Sequence, residues 1–176
     1  DVVALNLSRR GSKHIVSTGI TPSGEFHIGH LREILTGDMI ARAASDSGLD
    51  VDFIFIVDDA DPLRRVYPFL DEEYAKFIGH QIGDIPAPKA DGKPDYHSYE
   101  TNGWNYADHF LNPFLEALAT IGVKPRIVKN LASYKSGKFT ECAKLACDNS
   151  DKIKEIIERV SGRELPANWF PWSPLD

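Results

Sequence analysis

From Val51 to Val57 the chain reads Val-Asp-Phe-Ile-Phe-Ile-Val, a nearly unbroken apolar run of β-branched and aromatic residues. It is far too short to span a bilayer and suits a strand buried on both faces. Upstream, His14–Thr18 reads as a short β-branched strand that Gly19 breaks. Between them Ile28, Leu31, Leu35 and Met39 recur at helical spacing, with Arg32, Glu33, Asp38 and Arg42 at polar positions. This helix should fade near residues 46–48. Strand, helix and buried strand in that order make a βαβ crossover, and therefore a parallel sheet in an α/β fold with flanking helices.

Later segments are less regular. Residues 79–104 are dense in Gly, Pro and Asp and read as an extended, irregular insertion. Within it Tyr96, His97, Tyr99 and Trp104 are expected to serve packing. Helical spacing returns at Phe110, Leu111, Phe114, Leu115 and Leu118, and Gly122 suits the position after a helix end. Asn112-Pro113 offers a cap and first-turn pair that would split that segment. Residues 126–128 suit a third strand, and Ile153, Ile156, Ile157 and Val160 mark a closing helix with Gly162 beyond it. The aromatic, proline-rich stretch 169–176 is expected to pack on something.

A chain of 176 residues fits one domain with an insertion. Its net charge of -6 argues against non-specific coating of a polyanion but leaves room for a focused phosphate site. Cations cluster locally at Arg9, Arg10 and Lys13, and again at Lys135, Lys138 and Lys144. The two cysteines, Cys142 and Cys147, cannot supply a structural zinc site unaided and are expected to be reduced and structural. With no signal peptide or membrane span in the pattern, a soluble cytoplasmic protein is expected.

The chemistry concentrates where the first strand hands over to the first long helix, in Thr18-Gly19-Ile20-Thr21-Pro22-Ser23-Gly24-Glu25-Phe26-His27-Ile28-Gly29-His30. That is the carboxyl edge of a parallel sheet, where open α/β folds bind ligands. A helix start offers free N–H groups and a partial positive charge, which suit phosphate. His27 and His30 share one face of the first turn and can donate to phosphate oxygens. Gly29 removes a side chain so that a base or ribose can approach the backbone, and Gly24 permits a sharp turn. Taken alone, the pair also reads as two surface or capping histidines; a zinc pair is weaker, lacking a third ligand.

The whole run Pro22-Ser23-Gly24-x-x-His27-Ile28-Gly29-His30 resembles the signature of class I aminoacyl-tRNA synthetases. Gly19–Gly24 followed by Leu31-Arg32-Glu33, then Asp58-Asp59-x-Asp61-Pro62-Leu63-Arg64, narrow the resemblance to the class I lysyl type found in archaea and some bacteria. His109–Leu115 and Tyr134–Lys138 extend it through most of the chain. The resemblance implies a Rossmann-like catalytic domain, with residues 1–164 as its first half and 165–176 opening a connecting region. It implies ATP as a substrate, accompanied by Mg2+, and lysine and tRNA(Lys) as partners. Pro22, Ser23, His27, Gly29 and His30 would bind ATP, with His27 and His30 assisting the reaction. Gly19 and Thr21 would help hold lysine. Asp58 and Asp59 end the buried strand at the same edge, with binding and structural roles equally open.

Asp61 before Pro62 reads as an ordinary helix cap, and Arg64 and Arg65 as a solvated or packing pair. Tyr134-Lys135-Ser136-Gly137-Lys138 reads as an exposed basic turn, since the lysine-rich loop of these enzymes comes much later. The chain is therefore expected to be a piece carrying part of the ATP and lysine pocket, unable to aminoacylate alone. A glutamyl-type synthetase, another nucleotidyltransferase with a His-x-Gly-His turn, and a non-catalytic synthetase-derived module are the alternatives.

Overall fold

The computed structural model describes residues 2–172. Three parallel strands form a sheet in the order β1 (Lys13–Ile20), β2 (Asp50–Val57), β3 (Arg126–Lys129). A short helix, α1 (Val2–Ser8), precedes β1, and α2 (Ile28–Asp46) makes the crossover to β2. The expected α/β architecture is present. Gly19 does not break β1: it pairs with Ile56 in regular register, and a Cβ there would sit 3.3 Å from the Ile56 Cβ.

The expected stripe of α2 turns inward only in part, with Leu31 and Leu35 packed against the core. Ile28 and Met39 are exposed, whereas Ile34, Gly37, Ala41 and Ala44 are buried. A Cβ at Gly37 would lie 2.7 Å from Thr18 Cγ2 and 2.9 Å from Phe53, so the small residues bring the helix backbone close to the sheet. Close approach at the small residues, together with the bulk of Ile34, sets which face turns inward.

The second strand differs from its expected burial on both faces. Phe55 and Val57 are fully buried beneath α2 and a later helix, with Ile34, Leu111, Phe114, Leu118 and Ile127 around them. On the opposite face Ile54 and Ile56 are only half-buried and Ile15 of β1 is 68% exposed. One side of the sheet is bare among the described residues.

Between β2 and β3 the chain makes a packed excursion that starts directly after β2. Two 3₁₀ turns, Glu72–Phe77 and Ile82–Asp84, lead to α3 (Tyr96–Asn102), a helix within the stretch expected to be irregular. Leu63, Leu70, Tyr74, Ile82, Ile85 and Tyr106 form a second core there, and the buried Tyr74 hydroxyl donates to the Pro86 carbonyl at 3.0 Å. No helix follows Pro62, so Asp61 is not a helix cap; Pro62 instead bridges to Gln81.

Helix α4 (Tyr106–Thr120) is continuous through Pro113, capped by Asn105 rather than split at Asn112. Its buried residues, from Tyr106 through Phe110 and Phe114 to Leu118, lie on both sides of the proline. One helix is needed to bury them together, and that burial offsets the roughly 3 kcal/mol a helix-interior proline costs. The Pro113 ring leaves the His109 carbonyl without its usual N–H donor.

The chain divides into two compact units, Asp1–Leu131 and Ala132–Asp176, with the boundary inside α5 (Asn130–Lys135). The second unit contains α6 (Thr140–Asp148) and α7 (Ser150–Ser161), the latter closed by left-handed Gly162 at φ 68°. Tyr134 and Lys135 end α5 rather than lying in a turn, Ser136 to Lys138 form the turn beyond it, all five are exposed, and Cys142 and Cys147 are free thiols. Trp172 packs edge-on against Tyr134 at 5.6 Å; the rest of the aromatic tail, 173–176, lies outside the described residues. Among the described residues no helix is long and apolar enough to cross a membrane.

Candidate functional site

The carboxyl ends of the three strands bring Gly19 and Thr21, then Asp58, Asp59 and Asp61, then Asn130 to one edge of the sheet. The start of α2 stands on the same edge, and its cap is unusual. His27 is the N-cap, and its Nδ1 accepts the Gly29 N–H at 3.1 Å. His30 Nδ1 accepts the His27 N–H at 3.0 Å, so two imidazoles form a reciprocal capping box. Their ring centroids are 3.8 Å apart.

Accepting at Nδ1 fixes the tautomer: each neutral ring then carries its proton on Nε2. Capping and ligand binding therefore do not compete. The Nδ1 atoms hold the helix start, while two Nε2–H groups are left as donors beside the remaining N–H groups of that turn. The His27 ring also occupies the space beside Gly29, where a Cβ would come within 2.8 Å of His27 Cε1. Gly29 thus makes room for the imidazole itself.

His30 titrates below its ordinary value of 6.5, chiefly through burial and then through neighbouring His27, with Glu33 acting in the opposite sense. The cap is fully present while Nδ1 is unprotonated, and it is lost as pH falls through the folded pKa of His30. The stability this cap lends should accordingly be constant around neutrality and fall as pH drops below 6.5. Thermal unfolding followed against pH checks this, and a limb centred above 6.5 would contradict it.

The turn leading into α2 is held from several directions. The Ser23 N–H bonds the Thr21 carbonyl at 2.8 Å, and Pro22 is fully buried. The buried Tyr106 hydroxyl donates to the Ser23 carbonyl at 2.7 Å across 83 residues of sequence. Phe69 lies 3.7 Å from where a Cβ on Gly24 would be, and Phe26 stacks on Phe114 with centroids 4.3 Å apart. None of these long-range supports has a local sequence signal. Glu33, which accepts the Gly19 N–H at 3.2 Å, does have one: it lies one helical turn beyond His30.

The carboxylates separate by environment. Asp59 is 5% exposed and accepts the Leu131 N–H at 2.7 Å, tying the end of β2 to the start of α5. Asp58 is half-buried, accepts from the Asn130 amide, and has its pKa raised by burial and then by Asp61. Asp61 accepts the Thr21 hydroxyl at 2.9 Å and lies 3.7 Å from Arg64, while Arg65 stacks over Tyr67. The residue read as a helix cap is therefore joined to the site edge through Thr21. At the end of β3, just before α5, Lys129 pairs with Asp108 of α4.

A parallel α/β sheet with an imidazole-capped helix start and acidic groups at its carboxyl edge belongs to the class of open α/β folds that place ligands at that edge. Within that class, the description "tRNA synthetases class I (K)" matches residues 1–176, and the chain belongs to that family. It is 45% identical over 174 residues to a lysine--tRNA ligase of Methanosarcina barkeri, covering 99% of this chain and 30% of that protein. Lysine--tRNA ligase 1 of Methanosarcina acetivorans is 42% identical over 99% of this chain and 31% of its own length. The Archaeoglobus fulgidus lysine--tRNA ligase is 41% identical over 99% of this chain and 33% of its own length. The chain thus spans about a third of the length of the curated relatives it matches.

Proposed function

We propose that this stretch supplies part of the ATP and lysine pocket of a protein that activates lysine with ATP and transfers it to tRNA(Lys). The observation that carries this reading is the pair of imidazoles whose capping leaves Nε2–H donors at a helix start. The printed function of the relatives, lysine--tRNA ligase, supports the choice of amino acid and acceptor. Residues 1–164 would form the first half of the nucleotide-binding domain, and 165–176 would open a connecting region.

In the activation step a lysine carboxylate oxygen attacks the α-phosphorus of ATP. The bond to the bridging oxygen breaks, and pyrophosphate leaves with that electron pair. No enzyme nucleophile is needed, so help takes the form of positioning and charge stabilisation. His27 and His30 would donate to phosphate oxygens, aided by the α2 dipole, on a turn whose shape Pro22, Ser23 and Gly29 maintain. Mg2+ carried in with ATP would neutralise triphosphate charge, held largely by the phosphates themselves. Gly19 and Thr21 would border the lysine. Asp58, the half-buried carboxylate, is the better placed of the acidic pair to attract an ammonium group. Asp59 would act through the backbone it holds at Leu131.

Amino-acid-dependent ATP–pyrophosphate exchange in the intact protein tests the reading. Lysine alone should support exchange; exchange with glutamate in its place would transfer the assignment to the glutamyl branch. The 176-residue stretch by itself should not aminoacylate, and normal turnover by it would refute the idea that the pocket is shared with other segments.

A further inference from the structure

The turn that enters α2 sits where the two hydrophobic cores meet, and Phe26 packs against both. Among the described residues, Gly24, Glu25 and Phe26 donate no hydrogen bond to another backbone group, so this stretch is held from elsewhere in the fold. Two of the contacts on it are ring packing, Phe69 beside Gly24 and Phe114 against Phe26. The third is directional. The Tyr106 hydroxyl donates to the Ser23 carbonyl at 2.7 Å, four residues before the His27 cap.

Packing alone does not call for a phenol at position 106. Its ring has no exposed surface and lies beside Tyr74 and Phe110 in the second core, where a phenylalanine would fill the same space. Burying a hydroxyl there is costly unless it finds an acceptor. Burial also pushes the phenol well above its ordinary pKa, so the oxygen keeps its proton and stays a donor at any working pH. Tyr74, with its ring centroid 6.1 Å away, is equally buried and equally protonated. Its hydroxyl, however, donates to Pro86, within the excursion itself. Of two matched phenols in one core, one braces that core and the other reaches the turn that carries the imidazoles.

We propose that Tyr106 is a positioning residue for ATP: its hydroxyl fixes the Ser23 carbonyl, and through it the line of the chain into His27 and the start of α2. ATP as the ligand rests on the activation reading; the brace itself does not. The effect should be one-sided. Gly19 lies in regular register with Ile56, and the Thr21 hydroxyl is bonded to Asp61, so the residues that would border lysine are held without Tyr106. Loosening Ser23 disturbs the ATP side of the pocket and spares the lysine side.

Tyr106→Phe and Tyr74→Phe, each made in the intact protein, separate this role from core packing. Each removes one buried hydrogen bond, so both should lower the melting temperature to a similar extent. Only Tyr106→Phe should raise the ATP KM for lysine-dependent ATP–pyrophosphate exchange, about 10-fold, because a small shift of the turn misplaces the groups that hold the phosphates. The lysine KM should stay within about 2-fold in both variants. Amide hydrogen exchange over residues 23–31 should quicken in Tyr106→Phe alone. An unchanged ATP KM in Tyr106→Phe, an equal rise in both variants, or a lysine KM that climbs as far as the ATP KM would overturn the positioning role. Unaltered amide exchange across the turn would overturn it too. If the unmodified protein exchanged no pyrophosphate with lysine, the activation reading would fail by itself, and the amide exchange would still decide whether Tyr106 holds the turn.

Discussion

His30→Ala in the intact protein is expected to slow lysine-dependent ATP–pyrophosphate exchange about 100- to 1000-fold, the loss typical of removing one preorganised donor to developing charge. His27→Ala should behave alike, because each ring serves both as a cap and as an Nε2–H donor. The two contributions can be told apart. Loss of a cap costs about 1 kcal/mol of stability, a modest shift in melting temperature that leaves the domain folded. The rate effect should greatly exceed it, with the ATP concentration dependence and the maximal rate both moved. A rate within a few-fold of the unaltered protein would remove the imidazole pair from the reaction and leave it as a helix cap only.

Two adjacent residues of β2 should respond very differently to truncation in the isolated stretch. Phe55→Ala removes a ring with no exposed surface from the core shared by α2 and α4, and should cost about 3–5 kcal/mol. Ile56→Ala acts on the bare face, where the side chain is only half-buried, and should cost about 1–2 kcal/mol. Denaturant unfolding of both variants checks this. In the intact protein the cost at Ile56 should rise toward the Phe55 range if further segments cover that face, as the length of the relatives suggests. Equal costs at the two positions in the isolated stretch would mean that the sheet is covered on both sides already.

The bare face also shows how far the sequence can be read. The run Val51–Val57 announced a strand with apolar residues on both sides, and that property belongs to the residues themselves. Whether both sides are covered depends on what packs there, and composition along a strand carries no information about distant segments. The inward face of α2 depends on a related effect. Large apolar residues at Ile28 and Met39 suggested the inward stripe, but Gly37, Ala41 and Ala44 allowed a closer approach of the helix to the sheet. The helix through Pro113 and the cap proposed at Asp61 were likewise decided outside their own neighbourhoods. A core extending along all of α4 kept the first helical, while Thr21 and the Gln81 bridge claimed the region of the second.

What the sequence determined by itself was the order strand, helix, strand and the placement of two histidines and two glycines at the handover, because backbone periodicity and turn chemistry are local. The reciprocal cap spans only His27 to His30 and could in principle be foreseen from that spacing, although the ring atoms involved could not. Only the folded chain decided that Tyr106 would hold Ser23, that Asp59 would be buried under the Leu131 N–H, and that Phe26 would meet Phe114. Each of those contacts joins residues dozens of positions apart. Their formation depends on the packing of two cores at once, a property that no single segment encodes.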